Sequence, residues 1–199
     1  MIAGFASAQE VDLAVSDSTL WSPKNTTASQ AFTTPPLKGG TYPGFSVQYR
    51  LDNHFGLNAE GSFRYHYTLY NGYQSFRPIL YDLNLMYSPP IAHKTTADFM
   101  AGIGGETLIF YNQFAGCPTG SVNCRTYENS NHFLVHFGAG IRYDLWRNFY
   151  VRPEAHWYFV PNNFEFHSDN VFRVGASIGY TFGRKPAPKR KPASAPASQ

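Results

Sequence analysis

Apolar residues recur at every second position in about eight separate stretches of this chain, and that pattern constrains its fold more than any other feature. Successive side chains of a β-strand point to opposite faces, so period two marks strands with one apolar face. From Phe172 to Phe182 the even positions are Phe172, Val174, Ala176, Ile178, Tyr180 and Phe182, and the odd ones are Arg173, Gly175, Ser177, Gly179 and Thr181. The same split runs through Phe133–Asp144, Phe149–Phe159, Phe55–Tyr67, Ile79–Tyr87 and Asp98–Ile109, and more weakly through Val11–Leu20 and Tyr42–Leu51. Such a set predicts an all-β chain of eight antiparallel strands.

The connections alternate in length. Long segments are expected at Ser22–Gly39, Thr68–Ser75, Asn112–Asn131 and Pro161–Asp169, and tight turns at Asp52–His54, Pro89–Lys94 and Leu145–Asn148. No run approaches the roughly 18 apolar residues of a membrane helix, but a barrel strand needs only about 9–11 alternating residues.

Alternation alone leaves open which face is inside. All six lysines (Lys24, Lys38, Lys94, Lys185, Lys189, Lys191) fall in predicted loops or the tail, where a water-facing sheet would carry some on its strands. The polar face is rich in Gly and Ser, which suits the narrow lumen of an eight-stranded barrel. The apolar face carries rings near strand ends, at Tyr65, Tyr67, Tyr87, Tyr143, Phe149, Trp157 and Phe159, as in the aromatic girdles of membrane barrels. The expected architecture is therefore a transmembrane β-barrel with apolar residues outward, long extracellular loops and short periplasmic turns. Turned inside out, the pattern would describe a soluble lipocalin-like binder.

With that orientation, charged side chains enter the lumen and must be paired, because an unpaired buried charge is very costly. Arg64, Arg152 and Arg142 are expected to bridge Glu60, Asp82, Glu106 and Glu154 in a network that plugs the barrel. Asp12, Asp98, Asp144, Arg50 and Arg173 share the polar phase; Asp17 and Arg77 fall on the apolar phase near outer strand ends.

Residues 10–183 resemble the OmpA/OmpX-type family of small outer-membrane β-barrel domains. The piece that carries the resemblance best is Val174-Gly-Ala-Ser-Ile-Gly-Tyr-Thr-Phe182, which is similar to the aromatic-terminated closing strand of that family. The resemblance implies a bacterial outer-membrane location, lipid and lipopolysaccharide as surroundings, recognition by the barrel-assembly machinery and a monomeric, non-enzymatic barrel without cofactor or metal. Where an OmpA-like relative would continue into a peptidoglycan-binding domain, residues 184–199 here are expected to form a basic tail.

Three segments stand apart. Residues 1–8 end in Ala6-Ser-Ala8, a small-x-small cleavage pattern expected of a signal-peptide remnant. Residues 184–199 carry five bases and no acid, and removing them from the net +3 leaves a body of −2, which excludes a basic nucleic-acid-binding domain. This Pro/Ala-rich tail is expected to be extended in the periplasm, where it could touch peptidoglycan. Cys117 and Cys124 flank a Pro-Thr-Gly turn and are expected to form a loop disulfide in an oxidising compartment.

Enzyme signals are thin. His167-Ser168-Asp169 has the residue types of a hydrolase, but neighbours on a strand face opposite ways. His136 and His156 share the inner face with Glu154 and could form an acid–base pair, or simply fill the lumen. Gly102-Ile-Gly-Gly105 lacks the strand-to-helix setting of a phosphate loop and is expected to serve close packing. Asn25-Thr-Thr27 reads as a polar loop. The expected role is display of surface loops for adhesion, surface protection or envelope integrity. A narrow gated channel and a lipid-modifying enzyme are the alternatives.

Overall fold

Among the described residues ten strands run in sequence as β1 (Glu10–Trp21), β2 (Tyr42–Arg50), β3 (Phe55–Phe63), β4 (Thr68–Tyr70), β5 (Gln74–Tyr87), β6 (Pro90–Ala92), β7 (Thr95–Tyr111), β8 (Tyr127–Trp146), β9 (Phe149–Phe159) and β10 (Asn170–Phe182). They belong to a computed structural model that describes residues 10–23, 38–52, 54–70, 74–111, 127–163, 165 and 168–183. The signal-peptide remnant expected at 1–8, Asn25–Thr27, the expected disulfide of Cys117 and Cys124, His167 and the tail at 184–199 lie outside the described residues.

The eight long strands close on themselves. β1 pairs with β2 and β10, and β5 pairs with both β3 and β7, so each long strand is hydrogen-bonded on both sides. Closure removes the unpaired edges that would otherwise expose backbone polar groups to lipid. β4 and β6 are short ribbons at the two ends, paired with β5 and β7. The connection from β8 to β9 is the two-residue turn Arg147–Asn148, with Arg147 in the left-handed region at φ 52°. Asn148 ties that turn to the last strand by donating to the Thr181 carbonyl at 2.7 Å.

The long hairpin differs from the sequence expectation. Residues 127–131, expected in the loop, are strand, and the ladder runs on to Tyr111 opposite Tyr127. Tyr-Glu-Asn-Ser-Asn carries no apolar alternation because this stretch projects past the apolar belt, yet its backbone still pairs.

The outer wall is apolar. Val15, Phe45, Leu83, Leu85, Ile103, Ile141 and Ile178 all face outward, with Leu85 68 % exposed. Aromatic rings edge this belt. At the loop end Trp21 stacks on Phe172 at 5.8 Å and Tyr67 meets Tyr111 edge-on at 4.8 Å. At the turn end Phe55 meets Tyr87 and Phe149 meets Tyr180. Arg77, on the apolar phase, lies over the Tyr67 ring at 4.3 Å and reaches the Tyr65 carbonyl, so its charge is held at the aromatic edge.

The inner wall has two zones, where the sequence reading expected a polar lumen throughout. Toward the loop end lies an apolar cluster of Leu20, Tyr42, Phe76, Leu80, Leu108, Phe110, Leu134, Tyr158, Val160 and Val171, all buried. Toward the turn end the wall carries the charged and amide side chains. Glycines let these fit: a Cβ on Gly102 would run into the Leu83 carbonyl and Asn84, and one on Gly104 into the Tyr81 carbonyl and Asp82. Gly105 is different. It faces outward and is covered by the Tyr81 ring.

Candidate functional site in the barrel lumen

Three arginine-centred clusters and a histidine chain fill the polar zone. Nearest the turn end, Arg142 on β8 reaches across to Asp12 on β1 at 2.5 Å, to Asp144 at 3.3 Å and to the Thr181 hydroxyl at 2.6 Å. Its guanidinium lies 3.8 Å from the centre of the Tyr150 ring, and Arg50 approaches Asp12 from β2 at 3.7 Å. One layer up, Arg152 holds Glu154 at 2.8 Å and Asp98 at 3.5 Å, and Asp98 in turn accepts from Ser88. Higher still, Arg173 on β10 reaches Glu60 and Ser62 on β3.

The histidine chain runs from Asn84 and Asp82 to Glu154 of the Arg152 cluster. His136 Nδ1 meets Asn84 Oδ1 at 2.7 Å and Asp82 at 3.3 Å, while its Nε2 meets His156 Nδ1 at 2.9 Å. His156 Nε2 then faces Glu154 Oε1 at 3.5 Å. The two imidazoles stack, with Tyr158 against His136. A Cβ at Gly138 would sit 2.9 Å from His156 Nδ1 and 3.0 Å from His136 Nε2, so glycine there makes room for the pair.

Several pairings differ from the expected ones. Glu60 is met by Arg173, not Arg64. The Arg64 guanidinium instead lies 5.8 Å from the centre of the Tyr42 ring and beside Gly40, above the apolar cluster, and has no ion pair among the described residues. Asp82 is served by His136 and Asn84, and Glu106 by Asn163 at 2.9 Å, so neither takes an arginine. Arg142 takes Asp12 and Asp144. The reason is geometric. Arg142 and Arg173 reach across the lumen to the carboxylate that lies at their own height on another strand, and that height follows from the stagger of the closed barrel.

One constellation has no counterpart in the sequence reading. At the loop-end rim, Ser130 Oγ lies 3.0 Å from His132 Nε2 and donates to Glu165 Oε1 at 2.5 Å, while Glu165 Oε2 meets the same His132 nitrogen at 3.0 Å. Ser130 and His132 are two apart on β8 and so share a face, a signal present in the sequence. Glu165, in the loop after β9, could not be assigned to them. Hydrolytic relays place the acid on one imidazole nitrogen and the serine on the other. Here both crowd one nitrogen, so the group is a hydrogen-bonded clasp. Ser168 is likewise used locally, donating to the Asn170 carbonyl.

A closed eight-strand barrel with an apolar outer wall, aromatic edges and a packed interior, part apolar and part ion-paired, has the fold of the small membrane-spanning β-barrels. Solved structures of that type are similar to it in fold. Ail, the attachment invasion locus protein of Yersinia pestis, superposes with a TM-score of 0.59 at 12 % identity over 87 % of this chain and 99 % of its own. Neisserial surface protein A gives 0.58 at 11 % identity over 88 % and 98 %. OprG from Pseudomonas aeruginosa gives 0.53 at 10 % over 89 % and 97 %. No family model matches the chain, and no curated protein matches it.

Proposed function

We propose that this protein is a sealed, non-enzymatic barrel of the bacterial outer membrane whose working parts are the surfaces it displays, not its lumen. The observation that carries this reading is the apolar cluster across the loop end of the interior. Leu20, Tyr42, Leu108, Leu134, Tyr158 and Val160 are each 0 % exposed, and ions do not cross such a layer without first hydrating it. Beneath it the ion-paired zone is equally filled, with Arg152 and His136 at 0 %. A lumen closed by both devices favours a scaffold over a channel. It also keeps the His136–His156 pair away from any lipid substrate.

The displayed surfaces are the long connections, chiefly 22–39 and the segment between β7 and β8, facing outside the cell. The roles that fit are adhesion, surface protection or envelope integrity. The likeness in fold to Ail, an attachment invasion locus protein, supports the adhesion reading.

The test has two arms. The refolded chain should migrate differently on an SDS gel before and after boiling, as closed membrane barrels do. On intact cells, an external protease should cleave between residues 112 and 126 while the barrel core survives. No heat-dependent shift would reject the barrel in its membrane form, and cleavage only after the cells are broken would reject surface display.

A further inference from the structure

We propose that Glu60, Glu154 and His156 form a binding site for one divalent transition-metal ion of the zinc type, which pins opposite walls of the barrel together; the site goes beyond the display role. Each residue offers one donor atom, these atoms all lie within 4.8 Å of one another, and all three residues are buried. The strands run around the barrel as β1, β2, β3, β5, β7, β8, β9, β10. Glu60 on β3 therefore faces Glu154 and His156 on β9 from directly across the lumen.

The free valences converge. Arg152 and Ser177 engage Glu154 through Oε2, leaving Oε1 toward His156. Arg173 engages Glu60 through Oε1, and Glu60 Oε2 is buried without a hydrogen-bond partner. His156 Nε2 is likewise buried without one. Its other nitrogen is held by His136, which is held by Asn84 and Asp82. That is the arrangement of a metal-ligating histidine, whose second nitrogen is fixed by an outer partner. Donors at about 2.0–2.2 Å from zinc lie about 3.4 Å apart. The His156–Glu154 separation of 3.5 Å already matches that, and Glu60 needs to close by an ångström or so.

Charge points the same way. In the layers around the site four carboxylates, Glu60, Asp82, Asp98 and Glu154, face two guanidinium groups, Arg152 and Arg173. One divalent ion offsets that difference. One imidazole nitrogen and two carboxylate oxygens suit zinc or cobalt better than magnesium, which wants six oxygens.

The experiment refolds the full chain in detergent after chelator treatment, adds Zn²⁺, Co²⁺ or Mg²⁺, removes free metal by gel filtration and measures bound metal by mass spectrometry. The expected result is about one Zn²⁺ or Co²⁺ per folded chain, no retained Mg²⁺, and visible absorption of low-coordinate Co²⁺. Glu60→Gln and His156→Gln should each lower the retained metal at least tenfold, while His54→Ala, at an exposed position, should not. Folded wild type that holds no zinc overturns the proposal, and so does metal retained equally by E60Q and H156Q. The heat-dependent gel shift reports the barrel separately. If a variant does not fold, the Co²⁺ spectrum of the wild type decides.

Discussion

At Arg142 two effects compete. Burying its guanidinium costs several kcal/mol of hydration, and Asp12, Asp144, Thr181 and the Tyr150 ring offset that cost. Removing one partner strands the other, so Arg142→Met should destabilise the barrel by about 3–5 kcal/mol. Asp12→Asn in the same chain should recover part of that loss, because Arg50, 3.7 Å away, compensates only part of the carboxylate left behind. The check is the urea midpoint for unfolding from detergent or vesicles, measured for both single variants and the double. Gly138 tests packing instead of charge. Its missing side chain leaves space for the imidazoles of His136 and His156, so Gly138→Val should cost about 1–3 kcal/mol by overpacking. Arg152–Glu154, two apart on one strand face, was legible in the sequence, but the pairs that cross between strands were not. The residues of the polar phase were, but which arginine meets which carboxylate depends on the heights of facing strands, and no local pattern encodes those heights.

The strands themselves were legible because each element carries its own signal. A strand with lipid on one side and a crowded lumen on the other must alternate, and Phe172–Phe182 does so without a fault. Where that selection stops, so does the signal: residues 127–131 pair beyond the belt and read as loop. The apolar cluster was hidden for a related reason. Leu80, Leu134 and Tyr158 sit on the phase shared with Asp82, His136 and Glu154, and a few apolar residues among polar ones do not change the period. The outer belt predicts a depth-dependent cost at the level of the element. Leu83 lies within the belt, paired with Ile103, whereas Tyr65 lies at the aromatic edge beside Arg77. Leu83→Arg should therefore cost about 2–4 kcal/mol and Tyr65→Arg about 0–1. Refolding into lipid vesicles across a urea series measures both, and equal costs would place the belt elsewhere on the wall.

Over the whole molecule, the two interior zones decide whether charge or apolar packing closes the lumen. If the ion pairs were the gate, neutralising them would open a conducting path. The stacking of zones predicts otherwise, since removing charge leaves the apolar cluster intact above it. Arg152→Met with Glu154→Gln should fold and remain non-conducting in planar bilayers, with the wild type also silent. Adding Leu108→Ser and Leu134→Ser, which places hydroxyls at two 0 % exposed positions of the cluster, should hydrate that layer and give resolvable single-channel currents. Currents from the charge variant alone would transfer the seal to the arginine clusters and revive the channel reading. Silence of all four substitutions together, with the heat-dependent gel shift preserved, would mean that the remaining aromatic residues, Tyr42, Phe76, Phe110 and Tyr158, suffice to close the barrel. The order in which the zones must be breached distinguishes an interior built for stability from one built to open.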